Sequence, residues 1–191
     1  YIDHVQITNT EMLGVGDRTQ FYDATGALRD MIQSHILQTM ALTAMEMPAA
    51  LTPDAIRAEK IKVLEAIRPI PVAQLEKHAF RAQYAAGEIN GEKVPGYLEE
   101  LGESSSVVET YAALKLFIDN PRWQGVPFYL QTGKRLDQRL TELTINFHSP
   151  PIPLFRWLDS RRTRRPSARP CGAAPADTSL LCPRATAAPP V

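Results

Sequence analysis

Cysteine is absent from the first 155 residues; Cys171 and Cys182 both lie near the carboxyl end. A disulfide framework is thereby excluded for the body of the chain, and nothing else calls for an oxidising compartment. No run of about 18 apolar residues occurs, which excludes a membrane-spanning helix of ordinary length. The amino end, Tyr1-Ile2-Asp3-His4, has no basic start of the kind a secretory signal needs. A cytoplasmic protein with no membrane partner is the expectation. A basic stripe is missing too: residues 1–155 hold 14 Lys and Arg against 19 Asp and Glu. That mildly acidic balance offers no footprint for nucleic acid.

The chain of 191 residues is long enough for one domain with a sizeable core. Its formal neutrality hides a division, because residues 156–191 carry seven Arg, no Lys and only two Asp. The expected organisation is a domain over residues 1–155 and a disordered Arg/Pro/Ala-rich tail over residues 156–191. The tail loses strand periodicity, Lys and Glu together, as translation out of frame would produce.

Within the body, residues 27–47 carry the longest consistent period. Leu28, Met31, Ile32 and Ile36 follow helical spacing, and Leu37, Met40 and Met45 extend the stripe. With no Gly or Pro between Gly26 and Pro48, one helix of about five turns is predicted. His35 falls on or beside the apolar face. Two roles compete for it: a core histidine with a satisfied hydrogen bond, or a general base at the floor of a cleft. Spacing alone favours the core histidine.

A second helix is predicted from Thr52-Pro53-Asp54, a cap, a first-turn proline and an acid at the positive end of the dipole. Ile56, Ile61, Val63, Leu64 and Ile67 form its apolar face. Residues 1–9 alternate as a short strand, in which Asp3 and His4 should point to opposite faces and stay apart. Gly14-Val15-Gly16 lacks the third glycine of a dinucleotide loop, since Thr19 stands there, and no βαβ unit surrounds it. Residues 80–84 read as a strand, residues 85–96 as a long loop and residues 97–103 as a short helix. Three strand-like runs follow at residues 109–119, 126–132 and 140–148. The first is apolar on both faces; the third alternates Thr141, Leu143, Ile145 and Phe147 inward with Glu142, Thr144 and Asn146 outward. Helices followed by strands define an α+β class, with helices packed on one face of a largely antiparallel sheet.

Several stretches together resemble one family. Phe21-Tyr22-Asp23 and Gly26-Ala-Leu-Arg-Asp-Met-Ile-Gln-Ser-His-Ile-Leu-Gln38 are similar to the active-site helix of glucose-6-phosphate dehydrogenase. Ala44-Met45-Glu46, Glu59-Lys-Ile-Lys-Val-Leu64, Val94-Pro-Gly-Tyr-Leu-Glu-Glu100, Leu114-Lys-Leu-Phe-Ile-Asp119 and Val126-Pro-Phe-Tyr-Leu-Gln-Thr-Gly-Lys-Arg-Leu136 continue the likeness in order. The resemblance covers residues 1–155 and implies a truncated carboxyl-terminal, substrate-side domain. It implies oxidation of glucose 6-phosphate to 6-phosphogluconolactone with NADP in the pentose phosphate pathway, in an enzyme that forms homo-dimers or homo-tetramers. By the same resemblance His35 is the general base for the C1 hydroxyl, Asp30 and Glu11 contact the sugar, and Lys134 and Arg139 are basic positions facing the substrate. On an ideal α-helix Asp30 and His35 would stand about 140° apart, so the substrate would have to lie across the helix.

The chain also departs from the family pattern. Neither a glycine-rich nucleotide-binding domain nor the family's Arg-Ile-Asp-His-Tyr-Leu-Gly-Lys segment is present in the sequence, so the main NADP-binding domain is absent. Ser34 replaces a usual asparagine. Gln131 stands where some members place an arginine for a second NADP. A chain without the orienting aspartate and the cofactor domain is expected to be inactive alone. The alternative function is a non-catalytic remnant or interaction module, whose open sheet edges would favour association.

Overall fold

The computed structural model describes residues 1–149 other than Asn90. The proposed tail over residues 156–191, with both cysteines, lies outside the described residues. A five-stranded mixed sheet forms the frame, in the order β2-β5-β6-β1-β7. Its strands are β1 (Ile2–Thr10), β2 (Ala79–Ala82), β5 (Tyr111–Phe117), β6 (Pro127–Gly133) and β7 (Leu140–Phe147). All neighbours are antiparallel except β1 and β6, which run parallel with Thr10 opposite Gly133. The α+β expectation holds, and the parallel pair is an addition to it.

The helical layer covers one face. It contains α1 (Thr19–Ala27), a π-helical stretch (Leu28–Ile36), α2 (Leu37–Ala44) and α3 (Pro53–Glu65). Ile32, Ile36, Met40, Ala41 and Ala44 meet Val5, Ile7, Phe128, Leu130, Ala112 and Leu116 in the main core. Each large aliphatic side chain buried there contributes about 1.5–3 kcal/mol. Thr52 caps α3 as predicted, its Oγ1 accepting from the Ala55 N–H at 3.4 Å. Of the predicted apolar face, Val63 is buried while Ile61 faces solvent. On the other face of the sheet Tyr111, Ala113, Tyr129 and Leu136 make a smaller cluster. β5 is buried on both faces because Ala112 and Leu116 join the main core while Tyr111 and Ala113 join the smaller cluster.

Four local expectations change. The long helix runs without a break from Ala27 to Ala44, short of Met47, but Leu28–Ile36 wind as a π-helix, and Gly26, at φ +70° and ψ 172°, kinks the chain just before it. Residues 85–96 hold a small hairpin, β3 (Gly87–Ile89) with β4 (Glu92–Val94), before α5 (Tyr97–Leu101). On β7 only Ile145 packs against the core; Leu143 and Phe147 are exposed, because β7 is the outer strand beyond the helical layer. Asp3 and His4 do bond, Nδ1 to Oδ2 at 2.7 Å. The β1–β7 register shifts between Ile2 and His4, and that irregularity relaxes the strict alternation which would have kept them apart.

Candidate functional site

The carboxyl ends of the parallel strands β1 and β6 carry a cluster of paired charged side chains. Parallel sheets commonly hold ligands outside that edge. Glu11 follows β1 directly, its N–H donating to the Gly133 carbonyl at 2.9 Å and its carbonyl accepting from the Leu136 N–H at 3.0 Å. Lys134 follows β6, and its backbone N–H donates to the Thr110 carbonyl at 3.1 Å. Their side chains meet: Lys134 Nζ donates to Glu11 Oε2 at 2.5 Å. The ammonium also sits 5.3 Å from the centroid of the Tyr22 ring. Lys134 is 5% exposed and Glu11 38% exposed, so the cation is buried and the acid reaches outward. A buried ammonium is tolerated only when paired in this way.

Asp30 belongs to the same neighbourhood. Burial pushes the Tyr22 phenol well above its ordinary range, and the negative charges of Asp30 and Glu109 add to the effect. The π-helix alters where Asp30 stands relative to His35. Its wider winding is set by i to i+5 bonds, such as Leu37 N–H to the Ile32 carbonyl, and Ser34 Oγ reaches the Arg29 carbonyl at 2.8 Å. At about 4.4 residues per turn, positions five apart differ by about 50° instead of about 140°. Asp30 and His35 therefore share one side of the helix. The sequence periodicity had put His35 against the apolar stripe; in the structure it is exposed. The slower rotation per residue leaves it further short of the buried line of Ile32 and Ile36. Among the described residues no side chain hydrogen-bonds its imidazole; its carbonyl accepts from Thr39 Oγ1 at 3.2 Å.

The cluster thus brings Glu11, Lys134 and Tyr22 together, with Asp30 close enough to perturb the phenol. Arg139 is exposed in the β6–β7 connection, apart from any ion pair among the described residues.

Three residues that sequence reasoning did not single out hold this arrangement. Glu109, 8% exposed, accepts at Oε1 from the Leu28 N–H at 2.8 Å, and its carbonyl accepts from the Ala27 N–H at 3.0 Å. A distant carboxylate thereby caps the helix that carries Asp30 and His35. Glu100 accepts at Oε2 from Val15 N–H at 3.0 Å, Gly16 N–H at 3.2 Å and the Tyr84 hydroxyl at 2.7 Å, and its Oε1 takes a short bond from Arg135. Burial alone would push the Glu100 carboxyl up, but the bonds from Tyr84, Arg135 and Gly16 outweigh it and hold the group below the usual carboxylate range. No local spacing ties residue 100 to residue 135. Both lie inside family-like stretches, which was the only available signal.

An α+β domain with a paired acid and cation at the end of a parallel strand pair, beside a helix presenting an acid and an imidazole, is the class defined by this geometry. The particular family follows from comparison. Residues 1–168 match the family described as "Glucose-6-phosphate dehydrogenase, C-terminal domain". The glucose-6-phosphate 1-dehydrogenase of Treponema pallidum is 48% identical over 170 residues, 88% of this chain and 32% of that protein. That of Gluconobacter oxydans is 49% identical over 155 residues, 81% of this chain and 32% of its own length. A solved glucose-6-phosphate dehydrogenase in complex with its substrate glucose-6-phosphate superposes with a TM-score of 0.71 at 34% identity, covering 81% of this chain and 31% of that one. The enzyme from Mycobacterium avium gives 0.65 at 37% identity, over 81% and 31%. The chain belongs to the glucose-6-phosphate dehydrogenase carboxyl-terminal domain family, and it spans about a third of the relatives it matches. Among the described residues no helix is long and apolar enough to cross a membrane.

Proposed function

We propose that this chain is the substrate-side part of an NADP-dependent glucose-6-phosphate dehydrogenase, which oxidises glucose 6-phosphate to 6-phosphogluconolactone. The observation that carries this reading is the buried Lys134 paired with Glu11 beside Tyr22, with Asp30, on the helix that also carries His35, close enough to perturb that phenol. His35 takes the proton from the C1 hydroxyl; its imidazole is exposed and free to meet a ligand. Asp30 and Glu11 accept hydrogen bonds from sugar hydroxyls. Lys134 donates to the same hydroxyl network, and Arg139 supplies positive charge toward the phosphate. The whole enzyme would be cytoplasmic and a homo-dimer or homo-tetramer.

Oxidation at C1 also releases a hydride, for which the family implies NADP. The described residues do not fit that cofactor. The Val15 and Gly16 N–H groups, in the glycine pair most like a phosphate loop, are already bonded to the Glu100 carboxylate. These residues are therefore assigned the proton and the sugar, and no hydride step.

Titration of the chain with glucose 6-phosphate, followed by nuclear magnetic resonance, tests this reading. Binding should shift the signals of His35 and Lys134, and Asp30→Asn or Lys134→Ala should weaken it about tenfold or more, the scale of a hydrogen bond to a charged group. No binding, or binding indifferent to both variants, overturns the assignment. With NADP added, no NADPH should form. NADPH formation that His35→Ala abolishes would show a cofactor site within the chain.

A further inference from the structure

Lys134 and Arg135 are consecutive, yet their side chains serve different partners. Lys134 turns to Glu11 and Tyr22, whereas Arg135 turns to Glu100 and stands 5.8 Å from the centroid of the Tyr84 ring. The divergence is built into the backbone: Arg135 has φ +56°, the only positive φ at a non-glycine among the described residues. An arginine held in that region indicates that the surroundings over-determine it. Its Nε is buried without a hydrogen-bond partner, a second sign that placement of this side chain outweighs local preference.

Glu100 is what over-determines it. Its carboxylate collects donors from two segments of the site at once. One is the loop that begins at Glu11, through the Val15 and Gly16 N–H groups; the other is the turn that begins at Lys134, through Arg135. The Arg135 N–H donates to the Leu13 carbonyl at 3.2 Å, which closes the connection between loop and turn. Tyr84 holds the carboxylate from a third side. Glu100 itself is 9% exposed and stays ionised inside this ring of donors.

We propose that Glu100 and Arg135 are positioning residues: the Glu100 carboxylate fastens the Glu11 loop to the Lys134 turn and fixes the Glu11–Lys134 pair before a ligand arrives. This rests on Glu11 and Lys134 being contacts for a phosphorylated sugar. A pair locked in advance presents an acceptor and a donor at a set separation, which suits two hydroxyls of a polyol. It leaves little net charge for an isolated anion.

The test uses the whole chain labelled with 15N. The Lys134 ammonium signal, assigned by its loss in Lys134→Arg, should exchange slowly with water in the parent protein. In Glu100→Gln it should exchange about tenfold faster or broaden away, while backbone amides of β5 and β6 keep their protection. Glucose 6-phosphate affinity should fall about tenfold in Glu100→Gln, and this loss should vanish in a Lys134→Met background, the signature of an effect that acts through Lys134. Inorganic phosphate should bind at least about tenfold more weakly than glucose 6-phosphate. An unchanged ammonium signal in folded Glu100→Gln overturns the proposal, as does an equal loss of affinity with and without Lys134. If Glu100→Gln does not fold, Tyr84→Phe removes one hydroxyl donor and should give about a threefold loss of the same pattern; no loss overturns the proposal. Should glucose 6-phosphate not bind at all, its assignment as ligand fails, and the ammonium exchange still decides the positioning role.

Discussion

The two ends of strand β1 hold similar residue types and treat them differently. At the amino end Asp3 lies between His4 and His148, with Nδ1–Oδ distances of 2.7 and 3.4 Å. This trio borders an open cleft of about 800 Å³ shared with Lys115, Arg122 and Tyr129. At the carboxyl end Glu11 pairs with Lys134, and Glu100 binds the adjoining loop and turn. Asp3 is 49% exposed and Lys134 is 5% exposed. Acids and bases within reach of one another are thus present at both ends. The acids and cations of the carboxyl end are on balance more deeply buried, Lys134 at 5% and Glu100 at 9% exposed, and burial favours a fixed partner for a charged group.

The sharpest way to break the comparison is to delete the acid at each end. Glu100→Ala leaves Arg135, the Tyr84 hydroxyl and two backbone N–H groups without their acceptor in a largely buried site. Breaking a buried pair from one side costs about 3–5 kcal/mol. Asp3→Ala removes a half-exposed partner from two histidines and should cost less than about 1 kcal/mol after solvent screening. Denaturant unfolding of the two variants should differ accordingly. Equal losses would mean that the burial at the carboxyl end carries no energetic weight.

A smaller contrast comes from glycines at the two ends, both with positive φ. Gly26 has φ +70°, and a Cβ there would lie 2.6 Å from Glu109 Oε1. Gly125, at the cleft, has φ +81° and open space around it. Gly125→Ala meets backbone strain alone, about 1 kcal/mol, whereas Gly26→Ala adds displacement of the capping carboxylate, for about 2–3 kcal/mol. The Gly26 variant should also shift the resonances of Asp30 and His35, since Glu109 caps their helix; the Gly125 variant should leave them in place.

Periodicity made the sheet and its helical layer legible because their signals are local. The caps at Thr52, the both-faced burial of residues 109–119 and the stripe through Ile32, Ile36 and Met40 all follow from neighbours within two turns or one strand. Two failures have separate causes. Helical spacing assumed 3.6 residues per turn, whereas Leu28–Ile36 wind as a π-helix and His35 stands off the stripe. Alternation on β7 placed Phe147 inward, but an edge strand outruns the layer that would cover it. The family resemblance pointed to Glu11, Lys134 and the helix that carries Asp30 and His35. The clamp through Glu100 and Arg135 joins distant segments, which a single sequence does not connect.

Acid sharpens the comparison most gently. The Glu100 carboxyl is held below its ordinary range in the folded protein, so its bonds stabilise the fold at every pH above the usual carboxylate value, about 4.3. As pH falls through the depressed folded value the carboxyl protonates, Arg135 and the loop N–H groups lose their anionic acceptor, and that stability disappears. The melting temperature should therefore decline from pH 5 to pH 3. Glu100→Gln should start lower and decline less over the same interval, with the two curves converging at the acid end. Parallel curves would assign the acid sensitivity to other carboxylates.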